Sequence, residues 1–199
     1  MTETLYKVLN TDGSSFHGGT GKWFLPNGKP GKWMPTIKNP EPCVRGYHAL
    51  KRDMLVRWLG PAIFEVEVDG KGTWLEDKGV FSRARLIRRL ENWNDQTARL
   101  FACDCAEAVA HLSKDKRGED AILIVRRYAF GLVGEKELAA ARDTAWALTA
   151  ARTAAWAAAR AGAARAAARA SQTERLFEYL EGRVDLEEMK GRIVDAQNA

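Results

Sequence analysis

The sequence predicts an α+β chain. Residues 1–90 form a small mixed or antiparallel sheet, and residues 91–199 form an all-helical bundle with a long alanine-rich helix. Three observations predict this. All six prolines and most of the 17 glycines fall in the first half, where short alternating runs separate turn-dense segments. The second half has no proline and carries apolar residues at helical spacing. Between Leu138 and Ala170, 19 of 33 residues are alanine, the strongest helix former.

The elements follow in order. Leu5–Leu9 is the first strand candidate. HGGTGKW, LPNGKPGKW and IKNPEPCVRG are too rich in glycine and proline for long helices. Asp53–Leu59 fits one or two helical turns stopped by Gly60-Pro61. In Ile63–Val68, Phe64, Val66 and Val68 alternate with Glu65 and Glu67, the signature of a strand with one buried face. FSRARLIRRL, from Phe81 to Leu90, fits either a basic strand or a short helix. Trp93, Thr97, Leu100, Phe101, Cys105, Ala108, Val109 and Leu112 form a helical stripe, broken by the charged turn KDKRGED. A second helix spans Ala121–Phe130 and ends at Gly131, and Gly134-Glu135 introduces the alanine run. A bend, close contact or boundary is expected near Gly162. Ser171 with Glu174 reads as a capping box for a helix that buries Leu176, Phe177 and Leu180 before Gly182, and Asp185 with Glu188 repeats the signature.

The net charge of +5 is uneven: residues 1–90 hold 15 Lys/Arg against 9 Asp/Glu, and residues 91–199 hold 16 against 17. Basic surfaces attract nucleic acid, acidic proteins or phosphorylated ligands, although a solvated face explains a modest excess equally well. Cys43, Cys103 and Cys105 cannot all pair, and on a helix Cys103 and Cys105 point about 200° apart, so a reducing compartment is expected. MTETLYKVLN lacks the basic-then-apolar pattern of a secretory leader, and no apolar run is long enough to span a membrane. A cytoplasmic location with no membrane association is the expectation.

Within the alanine run, Arg142, Trp146, Thr149, Thr153, Trp156 and Arg160 recur at spacings of 4, 3, 4, 3 and 4. At about 100° per residue they share an arc of roughly 80°. Such a ridge either fixes register against a neighbouring helix or docks a partner, with Arg142, Trp146, Trp156 and Arg160 as the binding residues. Arginine beside tryptophan also suits stacked bases and phosphates.

Four reactive residues form a candidate pocket: His17 in FHGG, and Cys43, Tyr47 and His48 in PCVRGYH. A zinc site lacks a fourth ligand at metal spacing, so no metal is expected. Cys-His catalysis lacks an orienting third group. A buried cysteine and a hydrogen-bonded histidine beside a glycine turn is the simpler reading. His111 reads as a surface or helix C-terminal dipole partner. HGGTG has the glycines of an anion-cradling loop without the Lys-Ser/Thr ending of a P-loop, and Gly21-Lys22-Trp23 offers no hydroxyl for magnesium. Glu65 and Glu67 share a strand face, either as paired carboxylates or as a wet surface.

Residues 4–90, with YKVLN, SSFHGGTGKW, PCVRGYH, LVRWLGP and FEVEVDG, resemble an uncharacterised domain of actinobacterial and phage proteins marked by a Cys-x-x-Gly-Tyr/Phe-His element. Residues 99–161, with RLFACDCAEAVAHL and DAILIVRRYAFG, are similar to a predicted immunity-protein family of bacterial toxin systems, without the proline-containing link of that family. Together these imply a non-enzymatic interaction protein of bacterial or phage conflict, immunity-like or anti-defence, with no cofactor. The expected partner is a protein, with nucleic acid or a second copy of the chain as alternatives. Gly46-Tyr47 followed by IFEVEV is also similar to the second-strand region of ADP-ribosyltransferases. That resemblance implies Tyr47 stacking on nicotinamide, with His48 and Glu65 as the accompanying catalytic candidates.

Overall fold

In the computed structural model, which describes residues 3–110, 117–141 and 162–198, the first half forms a four-stranded antiparallel sheet and the second half is helical. The described chain divides into two units, Met1–Trp93 and Asn94–Ala199.

The sheet of the first unit has the order β1-β3-β4-β2, with β1 at Leu5–Leu9, β2 at Tyr47–Ala49, β3 at Ala62–Trp74 and β4 at Gly79–Arg89. Alternation in β3 places Phe64 and Val66 in the core, where they pack with Leu9, Ala62, Ala84 and Leu86. The ambiguous basic run is a strand. Ala84 and Leu86 of β4 point inward, while the arginines between them meet β3 carboxylates: Arg83 with Asp69 at 3.5 Å, Arg85 with Glu67 at 2.6 Å, and Arg88 with Glu65. Cross-strand pairs of opposite charge turn a basic sequence into a neutral face. Arg83 and Arg85 also stack on Trp33, each 4.6 Å from the ring. The turn expected over Asp53–Leu59 is a 3-10 helix at Arg52–Arg57.

Two features close the sheet. Tyr6 and Leu50 exchange backbone hydrogen bonds of 2.8 and 2.9 Å, which joins the end of β2 to β1. Irregular residues 31–37 form a strap along β4: the amides of Gly31, Met34 and Ile37 donate to the carbonyls of Leu86, Ala84 and Ser82. A Cβ at Gly31 would lie 2.1 Å from the Phe24 carbonyl oxygen, so only glycine fits there. Residues 31–37 are therefore tied to β4 by backbone hydrogen bonds without regular structure of their own.

In the second unit, Asn94 caps α1 (Asp95–Glu107) through a reciprocal capping box with Thr97. Helix α2, described over Arg117–Ala129, includes four residues before the expected Ala121, among them Glu119 and Asp120. Gly131, at φ +70°, ends it. Residues 135–141 are helical (α3). Helix α4 (Gly162–Leu180) corrects the reading of Ser171 as a helix start: Ser171 lies mid-helix, where the good helix formers before it carry the helix through a local capping signal. Leu176, Phe177 and Leu180 are buried as expected, and Gly182 takes φ +68°. Asp185 caps α5 (Leu186–Asn198) by accepting from the Glu188 amide at 2.9 Å.

Among the described residues no helix is long and apolar enough to cross a membrane. The ridge residues Arg142, Trp146, Trp156 and Arg160, with Thr149, Thr153 and His111, lie outside the described residues.

Candidate functional site

A cavity of about 680 Å³ opens in the first unit, and His17, Cys43, Tyr47 and His48 all line it. Gly46, at φ +130°, places Tyr47 at the start of β2, and a Cβ there would press to 2.5 Å from Val80. Cys43 also sits at positive φ (+62°), which costs a non-glycine residue about 1 kcal/mol and turns the chain into the cavity wall.

Each of the four has a defined partner or position. His17 Nε2–H donates to the Trp58 carbonyl at 2.7 Å, and its ring stands edge-on between Phe16 and Trp58. The Tyr47 hydroxyl donates to the Pro35 carbonyl at 2.7 Å and its ring packs edge-on against Trp23, 5.4 Å away. His48 Nε2 accepts from the Cys43 amide at 3.4 Å. Burial, together with the charges of Lys7 and Lys78, pushes the His48 pKa down to about 4, so its imidazole is neutral at pH 7. The Cys43 thiol is exposed.

Lys7 is the residue that the sequence reading passed over. Its β-bridge partner is Phe64, so it shares the sheet face of Leu5, Leu9 and Val66, where strand alternation calls for an apolar side chain. It lines the cavity with its ammonium 5.2 Å from the Trp23 ring centroid, and no carboxylate or hydrogen-bond acceptor among the described residues reaches it. Burial pushes its pKa down to about 8. The signal was available: in LYKVL a lysine stands between two core leucines at period two.

Lys78 and Arg45 also line the cavity. Lys78 lies 4.6 Å over Trp58 and 3.9 Å from Asp77, and Arg45 is 3.9 Å from Glu41, so both reach carboxylates only at long range. No Asp or Glu is among the residues that line the cavity. Glu65 is absent from its wall and is engaged by Arg88, so Tyr47, His48 and Glu65 do not form one cluster.

The second unit holds a cavity of similar size whose charged side chains pair with one another. Asp104 accepts from Arg126 at 2.8 Å, from Arg175 at 2.6 Å and from the Tyr179 hydroxyl at 2.7 Å, which ties α1 to α2 and α4. Arg126 also donates to Glu107 at 2.6 Å, and Arg175 to Glu178. Burial pushes the Cys103 and Cys105 thiols up to about 11, which keeps them protonated and chemically quiet. Among the described residues no group of three or more His, Cys, Asp or Glu could hold a metal ion.

No family model matches the chain, and no curated protein or solved structure matches it.

Proposed function

We propose that the chain is a non-enzymatic interaction protein of the bacterial or phage conflict type that its resemblance implies, and that its N-terminal cavity captures an anionic group of the partner. One observation carries the binding mode: Lys7, on the core face of β1, projects a cation without a counter-charge into a cavity that no carboxylate lines. An unpaired charge that is partly withdrawn from water costs stability, and a bound anion offsets that cost. Lys78 and Arg45 extend the positive field to the cavity wall.

The residues assigned by the transferase resemblance support that alternative less well. The Tyr47 hydroxyl is committed to Pro35, and Glu65 is held by Arg88 away from the cavity.

The test is calorimetric titration of the full chain with a series of anionic peptides, both carboxylate-rich and phosphorylated, comparing wild type with Lys7→Met. Methionine keeps the length and the contact with Trp23 while removing the charge. Binding that falls steeply between about 50 and 200 mM salt, and that Lys7→Met abolishes, is the expected result. Equal binding by the variant overturns the reading.

A further inference from the structure

We propose that the anionic group taken by this cavity is a phosphoryl group, seated on the Gly18–Thr20 turn with Lys7 as its counter-charge. This rests on the reading of the cavity as an anion site and narrows it to one chemistry.

The turn carries the inference. The lysine that follows HGGTG, Lys22, lies exposed 3.5 Å from Asp12 and outside the cavity wall, and the fold brings Lys7 to the cavity from β1 instead. Gly18 and Gly19 lie at φ +85° and +84°, a conformation that side chains resist. The amides of Gly18, Gly19 and Thr20 donate to no acceptor among the described residues. Successive N–H groups without a protein acceptor, on the wall of a cavity that holds a cation, can all donate to one bound anion.

The turn is also held in place at both ends. At its base, the Ser15 amide donates to the Gly21 carbonyl at 3.0 Å and the Trp23 amide to Gly13 at 2.9 Å. Near its tip, the His17–Trp58 hydrogen bond fastens the turn to the far side of the cavity. The donors are therefore fixed before any ligand arrives, which lowers the entropic cost of binding.

Donor count and charge favour phosphate over carboxylate. A phosphoryl group carries about −1.5 to −2 charges at pH 7 and three strong acceptor oxygens. Three amides and an ammonium can use all of them, whereas a carboxylate offers two oxygens and one charge. The cavity volume of about 680 Å³ leaves room for an organic substituent beside the half-exposed Phe16 ring.

The experiment follows the amides of ¹⁵N-labelled full chain while inorganic phosphate, a nucleoside monophosphate or acetate is added at matched ionic strength. Saturable shifts of Gly18, Gly19 and Thr20 with the two phosphates, and none with acetate, are expected. Tighter binding of the monophosphate assigns an ester ligand, and tighter binding of inorganic phosphate assigns the free ion. In parallel calorimetry, Thr20→Pro removes one amide donor and should weaken phosphate about tenfold or more. If acetate competes equally and Thr20→Pro binds phosphate like wild type, the phosphoryl inference falls and the anion cavity stands. If no anion binds and Lys7→Met matches wild type, both fall. The shifts in the wild-type chain decide the matter even if the proline variant does not fold.

Discussion

Asp104 in the second unit and Lys7 in the first are both largely withdrawn from water, and their surroundings differ. Three donors converge on Asp104 from α2 and α4, and the arginines among them have further carboxylates of their own. Lys7 has an indole ring and a cavity wall that carries no carboxylate. A buried charge whose partners are all internal is a structural device, because its demand for a counter-charge is met by folding. A buried charge whose partner is missing points outside the chain. The two cavities have the same volume. Size therefore does not tell them apart, and charge balance does.

The largest expected effect tests the closed side of this contrast. Asp104→Ala strands two arginines and the Tyr179 hydroxyl, and should cost about 3–5 kcal/mol in urea unfolding. A loss below about 1 kcal/mol would mean that the network is decoration. Lys7→Met should have the opposite sign: removing an unpaired charge from the core face should stabilise the protein by about 1–2 kcal/mol at pH 7, after allowance for partial exposure. A destabilised variant would show that Lys7 is structural.

The pH dependence sharpens the same point. The folded-state pKa of Lys7 lies at about 8, below its ordinary 10.5, so over that window the native state binds fewer protons than the unfolded chain. Stability should rise as pH increases from about 8 to 10.5, and Lys7→Met should flatten that rise. His48 titrates at about 4 in the fold against an ordinary 6.5, so stability should fall by less than about 2 kcal/mol as pH drops from 6.5 to 4. His48→Gln keeps an acceptor for the Cys43 amide and should remove that slope. The smallest effect belongs to the outer face of the sheet. Arg85→Ala breaks a solvent-washed pair with Glu67 and should cost less than about 1 kcal/mol in thermal unfolding.

Much of the fold was legible because period-two and helical patterns are local. Phe64, Val66 and Val68 mark β3, and the stripe of Thr97, Leu100 and Phe101 marks α1. The basic run of β4 was ambiguous because the β3 carboxylates that neutralise its arginines come beside them only once the hairpin forms. Ser171 misled because a capping signature is a local preference of about 1 kcal/mol, and the preceding helix overrides it. His17, Cys43, Tyr47 and His48 were noticed as reactive types, and the fold places them around one cavity. Lys7 escaped notice because lysine is ordinary on a strand, and only the register with Phe64 shows that it faces inward.

The strap at residues 31–37 has a consequence for how this protein can vary. It is anchored at every third residue to every second residue of β4, so its two periods match only at one length. Exchanges at the unanchored sites leave those anchors in place. Loss or gain of a single residue throws every later anchor out of step, and with them Pro35, whose carbonyl holds the Tyr47 hydroxyl. A stretch that looks like featureless loop should therefore accept exchanges at exposed sites such as Lys32 and Thr36 but hardly any change in length.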